Sequence, residues 1–349
     1  MINGAENMTN LKFQKIRSAI NFDIIAIFLV LMLFASACNK EESKPSGSKE
    51  TVTIGFADMV MTSPITIAQE KGFFAEEGLQ VILKPYQFGK KAFEGMLAGE
   101  SDVATMAEAP IMFQGFERND FSVFATFTHS YNDSKVIARK DRGIIKASDL
   151  KGKIIGTVEK TTAHYFAYMF LVENRIDPAT VNFKFYLAKD LVEAFKVGKV
   201  DAIIVFEPYA YGAQSALPGQ TVNLLRSNLY RETFNLATMK IFAANRPETL
   251  KKILRSIDRA STYSKKHKEE AMAIIVKTRN FPKEAVAAVW DYYVFQLSLD
   301  NSMLTLLESE AKWAIKNRYV TAEVTPDYLD CYYLDAMKAV KPEVVSIVK

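Results

Sequence analysis

The sequence predicts an α/β protein of two lobes, each built on parallel βαβ units, completed by a helical carboxyl-terminal region. Three observations carry this expectation. Strand-like and helix-like runs alternate from Val52 to Pro110 and again from about Val136 to Tyr209. Both runs end in nearly the same phrase, LAGESDVATMAEAP at 97–110 and KVGKVDAIIVFEPY at 196–209. In each, a glycine is followed three residues later by aspartate and six further on by glutamate: Gly99, Asp102 and Glu108, then Gly198, Asp201 and Glu207. From Pro247 onward the apolar residues recur at three and four, the spacing of amphipathic helices, and no further strand is expected.

The amino terminus reads as processing signal. Lys12, Lys15 and Arg17 precede an uncharged apolar run, IIAIFLVLMLF at 24–34, and the small residues Ala35, Ser36 and Ala37 precede Cys38. The run is too short to span a bilayer. ASAC followed by the polar stretch NKEESKPSGSKE resembles a bacterial lipoprotein lipobox and its disordered tether, which implies lipid on Cys38 and attachment to a membrane surface. The expected organisation is a signal peptide at 1–37, a lipidated tether at 38–50, a first lobe from 51–133 plus 241–349, and a second lobe from 134–240. Cys331 lies among apolar residues at helical spacing and is expected in the core.

A chain of 349 residues with 49% hydrophobic and 12% aromatic content can bury the cores of two domains. Its net charge of +4 is small, with lysines and arginines spread among acids, so there is no electrostatic footprint for nucleic acid.

The elements follow in order. VTIGF from Val52 is a strand. Ser63 and Pro64 begin a helix, with a capping hydroxyl and proline at its first position, that runs to Gly72. Gly78 opens the strand LQVIL, AFEGML is a helix ended by Gly99, and SDVATMA is a strand that stops at Glu108, Ala109 and Pro110. In the second wind KVIARK is a strand, ASDLKG a capped turn, KIIGTV a strand, and TTAHYFAYMFLVENR a helix starting near Thr161. NFKFYL, VEAFKVG and DAIIVF complete strand, helix and strand. LKKILRSIDRA, EAMAIIV, EAVAAVWDYYVF and MLTLLESEAKWAI supply the terminal helices. Glu108 and Glu207 thus leave the carboxyl ends of parallel strands, where open α/β sheets bind ligands. Two facing lobes would put one carboxylate on each wall of a shared cleft.

SPITIAQEKGFFAEEGLQVIL, GMLAGESDVATMAEAPIMF, DLKGKIIGT, VGKVDAIIVFEPY and the closing YLDAMKAVKPEVVSIV together resemble the solute-binding proteins of ABC transporters of the nitrate, sulfonate, taurine and thiamine-precursor type. The resemblance implies a two-lobed periplasmic-binding-protein type II fold, hinge closure on a small molecule, and delivery to a permease in the membrane. It also implies a monomeric lipoprotein at the periplasmic or cell surface. The hinge is expected near Asn132–Lys135 and Thr238–Ile241.

By position, the cleft candidates are Asp58, Thr62 and Ser63 after the first strand, then Phe88, Gly89 and Lys90, and Glu108 and Ala109. The second lobe contributes Lys160, Thr161, Thr162, His164, Phe206, Glu207 and Tyr209. Ser63 and Thr161 or Thr162 stand at helix starts whose free N–H groups suit an anion or a carbonyl oxygen, unless they serve only as caps. The acids Asp58, Glu108, Glu159 and Glu207 oppose only Lys90 and Lys160, which favours a ligand rich in hydrogen-bond donors. With Tyr86, Phe88, Phe206, Tyr209 and Tyr211 for stacking, that pattern suits an amino-substituted heteroaromatic such as a thiamine pyrimidine precursor. A sulfonate or nitrate is the alternative if those acids are paired or turned aside.

No cofactor or metal is expected. His129, His164 and His267 are dispersed, Met59, Met61, Met106 and Met112 lack a histidine cluster, and there is no nucleophile elbow or phosphate loop. A related eukaryotic family of this fold makes the thiamine pyrimidine from its own histidine with a cysteine-rich motif that this chain lacks. A sensory lipoprotein that presents its closed form to a receptor is a third reading.

Overall fold

The computed structural model describes residues 49–225 and 229–348; the leader, Cys38 and most of the expected tether lie outside them. The first wind runs β1 (Glu50–Ala57), α1 (Ser63–Glu70), α2 (Phe73–Glu76), β2 (Leu79–Tyr86), α3 (Gly89–Leu97), β3 (Val103–Ala107), α4 (Glu108–Gly115) and β4 (Phe121–Ser130). The second runs β5 (Lys135–Arg139), β6 (Ile154–Thr157), α5 (Thr162–Glu173), β7 (Asn182–Phe185), α6 (Ala188–Lys196), β8 (Ala202–Val205), α7 (Tyr209–Ala216) and β9 (Thr221–Asn223). β10 (Glu232–Met239) then leads to α8 (Lys240–Asn245), α9 (Pro247–Lys266), α10 (Lys268–Arg279), α11 (Lys283–Val289), β11 (Tyr293–Ser298), α12 (Asn301–Lys316) and α13 (Asp335–Val340).

These strands form two sheets, ordered β11-β4-β10-β3-β1-β2 and β7-β6-β8-β5-β9. β2-β1-β3 and β7-β6-β8 are parallel, as their helical crossovers require. β10, β4 and β11 join the first sheet antiparallel, and β5 and β9 join the second in the same way. Phe93 of α3 meets Phe121 of β4 edge to face, with ring centroids 5.1 Å apart. Burying each such ring contributes about 1.5–3 kcal/mol, which fixes the α3 crossover on its sheet.

Both copies of the repeated phrase do the same structural work. Gly99 and Gly198 have φ of 79° and 77°, the left-handed conformation that ends a helix without a side-chain clash. In both, the glycine N–H bonds back three residues and the next N–H bonds back five: Gly99 to Met96 and Glu100 to Gly95, then Gly198 to Phe195 and Lys199 to Ala194. The aspartates then clamp the neighbouring parallel strand. Asp102 Oδ2 accepts from the Thr53 N–H at 2.7 Å, and Asp201 Oδ2 accepts from the Ile154 N–H at 2.9 Å.

Three expectations are corrected. β10 lies between β3 and β4, so the chain has rejoined the first sheet by Glu232 rather than at Thr238–Ile241. The residues from 232 to 239 therefore belong to the first sheet, and the outward crossing lies between Ser130 and Lys135. The carboxyl-terminal region is not all helical: the α11 pattern stops at Val289, and Tyr293, Phe295 and Leu297 point inward while Val294 and Gln296 point out, the two-residue alternation of β11. Finally, Ser63 does not cap α1. Its hydroxyl donates to the Val60 carbonyl at 2.6 Å, and neither it nor Thr62 accepts from the first turn.

Candidate ligand cleft

The carboxyl ends of β1, β3, β6 and β8 face one another between the sheets, and the chain that leaves them encloses a cavity of about 20 Å³. The first lobe lines it with Met59, Phe88, Gly89, Lys90, Ala107 and Pro110, and the second with Thr161, Thr162 and Phe206. Glu232 and Phe234, alternate residues of β10, close it from the crossing strand. A space of this size takes about one water molecule, so the two lobes are drawn together over it. Phe88 and Phe206 meet across the gap with centroids 6.1 Å apart, and Lys90 Nζ reaches the Glu159 carbonyl at 3.5 Å. Larger grooves of about 200 and 300 Å³ flank the cavity, and Lys90 borders both.

Six of the candidates read from the sequence line this cavity: Phe88, Gly89, Lys90, Thr161, Thr162 and Phe206. Gly89 has a packing reason as well, because a Cβ there would lie 2.8 Å from the Met106 Cα. Ala109 is buried behind the wall formed by its neighbours. The Thr62 hydroxyl lies 2.7 and 2.8 Å from the Ala57 and Met59 carbonyls, between which its one hydrogen is shared, so it braces the loop and does not reach the cavity. Tyr209 packs on Phe206 with centroids 5.7 Å apart, behind the lining. His164 also lies outside it. Its Nδ1 accepts from the Lys160 N–H at 3.4 Å, and its ring is enclosed by Phe183, Phe185, Trp313 and Tyr319. Burial holds His164 near pKa 4, with the Lys90 charge pulling the same way.

The acids are engaged elsewhere. Asp58 pairs with Arg279, a buried arginine whose guanidinium lies 4.3 Å from the centre of the Phe56 ring and also donates to Thr66. Glu159 is exposed and contributes its carbonyl. Glu207 accepts from the Tyr211 N–H at 2.8 Å, and burial raises it to about pKa 7. Glu108 is fully buried at the start of α4. Its Oε2 accepts from the N–H and hydroxyl of Thr233, both at 2.9 Å, while Oε1 accepts from Tyr230 and, at 3.2 Å, from Thr162 of the second lobe. Glu108 therefore does reach across the cleft, but to a protein hydroxyl. Near the outward crossing, Asp133 accepts from Tyr293 at 2.6 Å and is raised by burial to about pKa 6. Glu232 accepts from Ser134 at 3.0 Å, and burial holds it well above the ordinary carboxyl value.

The cations stand out by contrast. Lys90 is the second residue of α3, and Lys160, at φ 53°, immediately precedes the α5 N-cap. Among the described residues neither has a carboxylate within ion-pair distance; Lys160 instead lies 5.5 Å from the centre of the Phe113 ring. Burial, together with the charges of Lys91 and Lys160, pulls Lys90 below the ordinary lysine value against the upward pull of Glu94. Neither α3 nor α5 has a side-chain cap, since the Thr161 hydroxyl donates to the Val158 carbonyl at 2.7 Å. The first N–H groups of both helices are thus left for another acceptor. Among the described residues no group of histidine, cysteine and carboxylate side chains could hold a metal ion, and no helix is long and apolar enough to cross a membrane.

Sequence reasoning missed Glu232, Phe234, Tyr230, Arg279, Glu310 and Trp313. The two on β10 were detectable as alternate positions of ETFNLATM, once that stretch is read as a strand entering the cleft. The others come from helices and loops far along the chain and carry no local signal.

The chain is similar to a putative aliphatic sulfonates-binding protein of Bacillus subtilis (strain 168), with 24% identity over 276 residues that cover 76% of this chain and 80% of that one. Two other curated relatives are matched over only 27% and 54% of their own lengths. Among solved structures, the periplasmic aliphatic sulphonate binding protein SsuA from Escherichia coli superposes with a TM-score of 0.69 at 17% identity, covering 79% of this chain and 95% of that one. The periplasmic nitrate-binding protein NrtA from Synechocystis PCC 6803 gives 0.69 at 14% identity, covering 85% and 91%. These likenesses establish the periplasmic-binding-protein type II fold. A family model described as NMT1/THI5 like matches residues 61–271, more than half of the chain, and with the cleft geometry above it makes this protein a member of the NMT1/THI5-like family.

Proposed function

We propose that this protein is the extracytoplasmic solute-binding component of an ABC importer, that it captures a small organic or inorganic anion by closure of its two lobes, and that it has no catalytic activity. The observation that carries this reading is the pair Lys90 and Lys160, brought from opposite lobes to two uncapped helix starts without an acidic partner. The acids that argued against an anion are paired, satisfied or turned aside. Relatives named for sulfonates and nitrate support the same chemistry. Lipid on Cys38 would hold the protein, as a monomer, beside its permease; Cys38→Ser is expected to release it from membranes or leave it unprocessed.

The test is calorimetric titration with nitrate, short alkanesulfonates, taurine and an aminopyrimidine. Binding of a sulfonate or nitrate that falls about 5- to 30-fold in Lys90→Gln and in Lys160→Gln is the expected result, about 1–2 kcal/mol for each partly exposed charge-assisted contact. Unchanged affinity in both variants would reject the site. A second reading, the amino-substituted heteroaromatic, is favoured by Phe88, Phe206 and Phe234 around a cavity that also exposes Glu232. Binding of the aminopyrimidine alone would replace the anion with it.

A further inference from the structure

Beside the cleft, and independently of which solute it takes, three groups form a line whose hydrogens can be counted. The Tyr230 hydroxyl touches Glu108 Oε1 on one side and lies 2.8 Å from Glu310 Oε1 on the other. All three side chains are buried, with Glu108 and Glu310 fully so. A phenol carries one hydrogen and can donate to only one of two carboxyl groups. The second contact needs a hydrogen that one of the carboxyls brings.

Glu108 is not the group that brings it. Thr233 N–H has no choice but to donate to Glu108. The Thr233 hydroxyl accepts from Asn235 Nδ2 at 3.1 Å and so turns its own hydrogen toward Glu108. With Thr162 and Tyr230 added, Glu108 receives four donors, the full complement of a carboxylate. Glu310 is the opposite case. Its Oε1 meets only Tyr230, its Oε2 has no partner, and no lysine or arginine pairs with it among the described residues. The other titratable groups around it are Glu108 on α4, Tyr165 on α5, Tyr328 and Glu232, all acids or phenols. A carboxylate left there with one hydrogen bond would be an uncompensated buried charge.

We infer that Glu310 is a neutral carboxylic acid that donates to Tyr230, that Tyr230 donates to Glu108, and that this relay fixes Glu108 as the anion receiving Thr162 from the second lobe. Glu310 and Tyr230 are then positioning residues: they set the charge and the orientation of the acceptor that holds the start of α5 against the first lobe. Burial raises both carboxyls; at Glu108 the hydrogen bonds from Tyr230 and Thr233 pull back against it, whereas at Glu310 the charge of Glu108 adds to burial and only Tyr230 opposes it, so Glu310 stands well above the ordinary carboxyl value.

Infrared difference spectroscopy of the full chain with carboxyl-labelled glutamate tests the assignment without any ligand. Subtracting Glu310→Gln from wild type at neutral pH should show the loss of a protonated-acid C=O band. Subtracting Glu108→Gln should show the loss of carboxylate intensity, with the acid band retained. Tyr230→Phe, which keeps the ring and removes the acceptor, should shift the acid band while leaving it present, and it serves if Glu310→Gln does not fold. An acid band lost in Glu108→Gln instead, a loss of carboxylate in Glu310→Gln, or an acid band indifferent to Tyr230→Phe would overturn the relay.

Discussion

Glu108 and Glu207 occupy the same place in the repeated phrase, yet their surroundings give them different chemistry. Four donors meet Glu108, whereas Glu207 has one backbone donor, lies near Asp133 and Lys135, and is raised to about pKa 7 chiefly by burial. Asp133 is raised to about 6 by the same cause. Both folded values stand above the ordinary ones of 4.5 and 3.8, so the folded state retains protons that the unfolded chain releases between about pH 4 and 7. The stability these groups confer is complete below the unfolded values and is lost as pH rises through the folded ones. Glu207→Gln cannot titrate and is expected to gain stability relative to wild type between pH 5 and 7, by at most ~1.4 kcal/mol per pH unit. Chemical denaturation across that range decides it: parallel pH profiles for the two proteins would mean that Glu207 is ionised in the fold. The sequence could mark both glutamates as strand-end residues, because that depends on local pattern alone. It could not tell them apart, because the difference lies in Tyr230 and Thr233, more than a hundred positions from Glu108.

At the scale of the element, the winding order and the helix ends were legible because glycine, aspartate and apolar periodicity act within a few residues. Gly99 and Gly198 can be held to this. Nothing lies within 4 Å of a Cβ built on Gly99, so Gly99→Ala should cost only the left-handed conformation, about 1–2 kcal/mol. At Gly198 a Cβ would also come within 2.6 Å of the Arg142 side chain, which bonds the Gly198 carbonyl at 3.3 Å, so the loss should be larger unless that flexible arm moves. The two sites share no partner, and the double variant should show the sum within about 0.5 kcal/mol in urea melts. A loss at Gly99 well below 0.5 kcal/mol would mean that the turn relaxes. β4, β10 and β11 were among the elements that were not legible. The first two are buried on both faces and lack a clean alternation, and β11 follows a helical run without a glycine or proline to separate them.

For the whole molecule the contacts between lobes make closure measurable through one side chain. The chain has two tryptophans. Trp290 packs on Phe295 within the first lobe, with centroids 5.1 Å apart. Trp313, on α12 of the same lobe, packs instead against second-lobe residues of α5: Tyr165 at 5.2 Å and His164 at 5.0 Å. Separation of the lobes would strip these neighbours from Trp313 and leave Trp290 untouched. In a Trp290→Phe variant, acrylamide should therefore quench the remaining emission readily in the free protein and poorly once a bound nitrate or alkanesulfonate has drawn the lobes together. Solution scattering on the same samples should show a smaller radius of gyration with the anion bound. Quenching and scattering that both ignore a saturating anion would mean that the two lobes form one rigid body and that the Thr162–Glu108 and Phe88–Phe206 contacts are permanent packing. A change in scattering without a change in Trp313 would instead put the hinge axis beside α12, and the opening at the Lys90 side of the cleft.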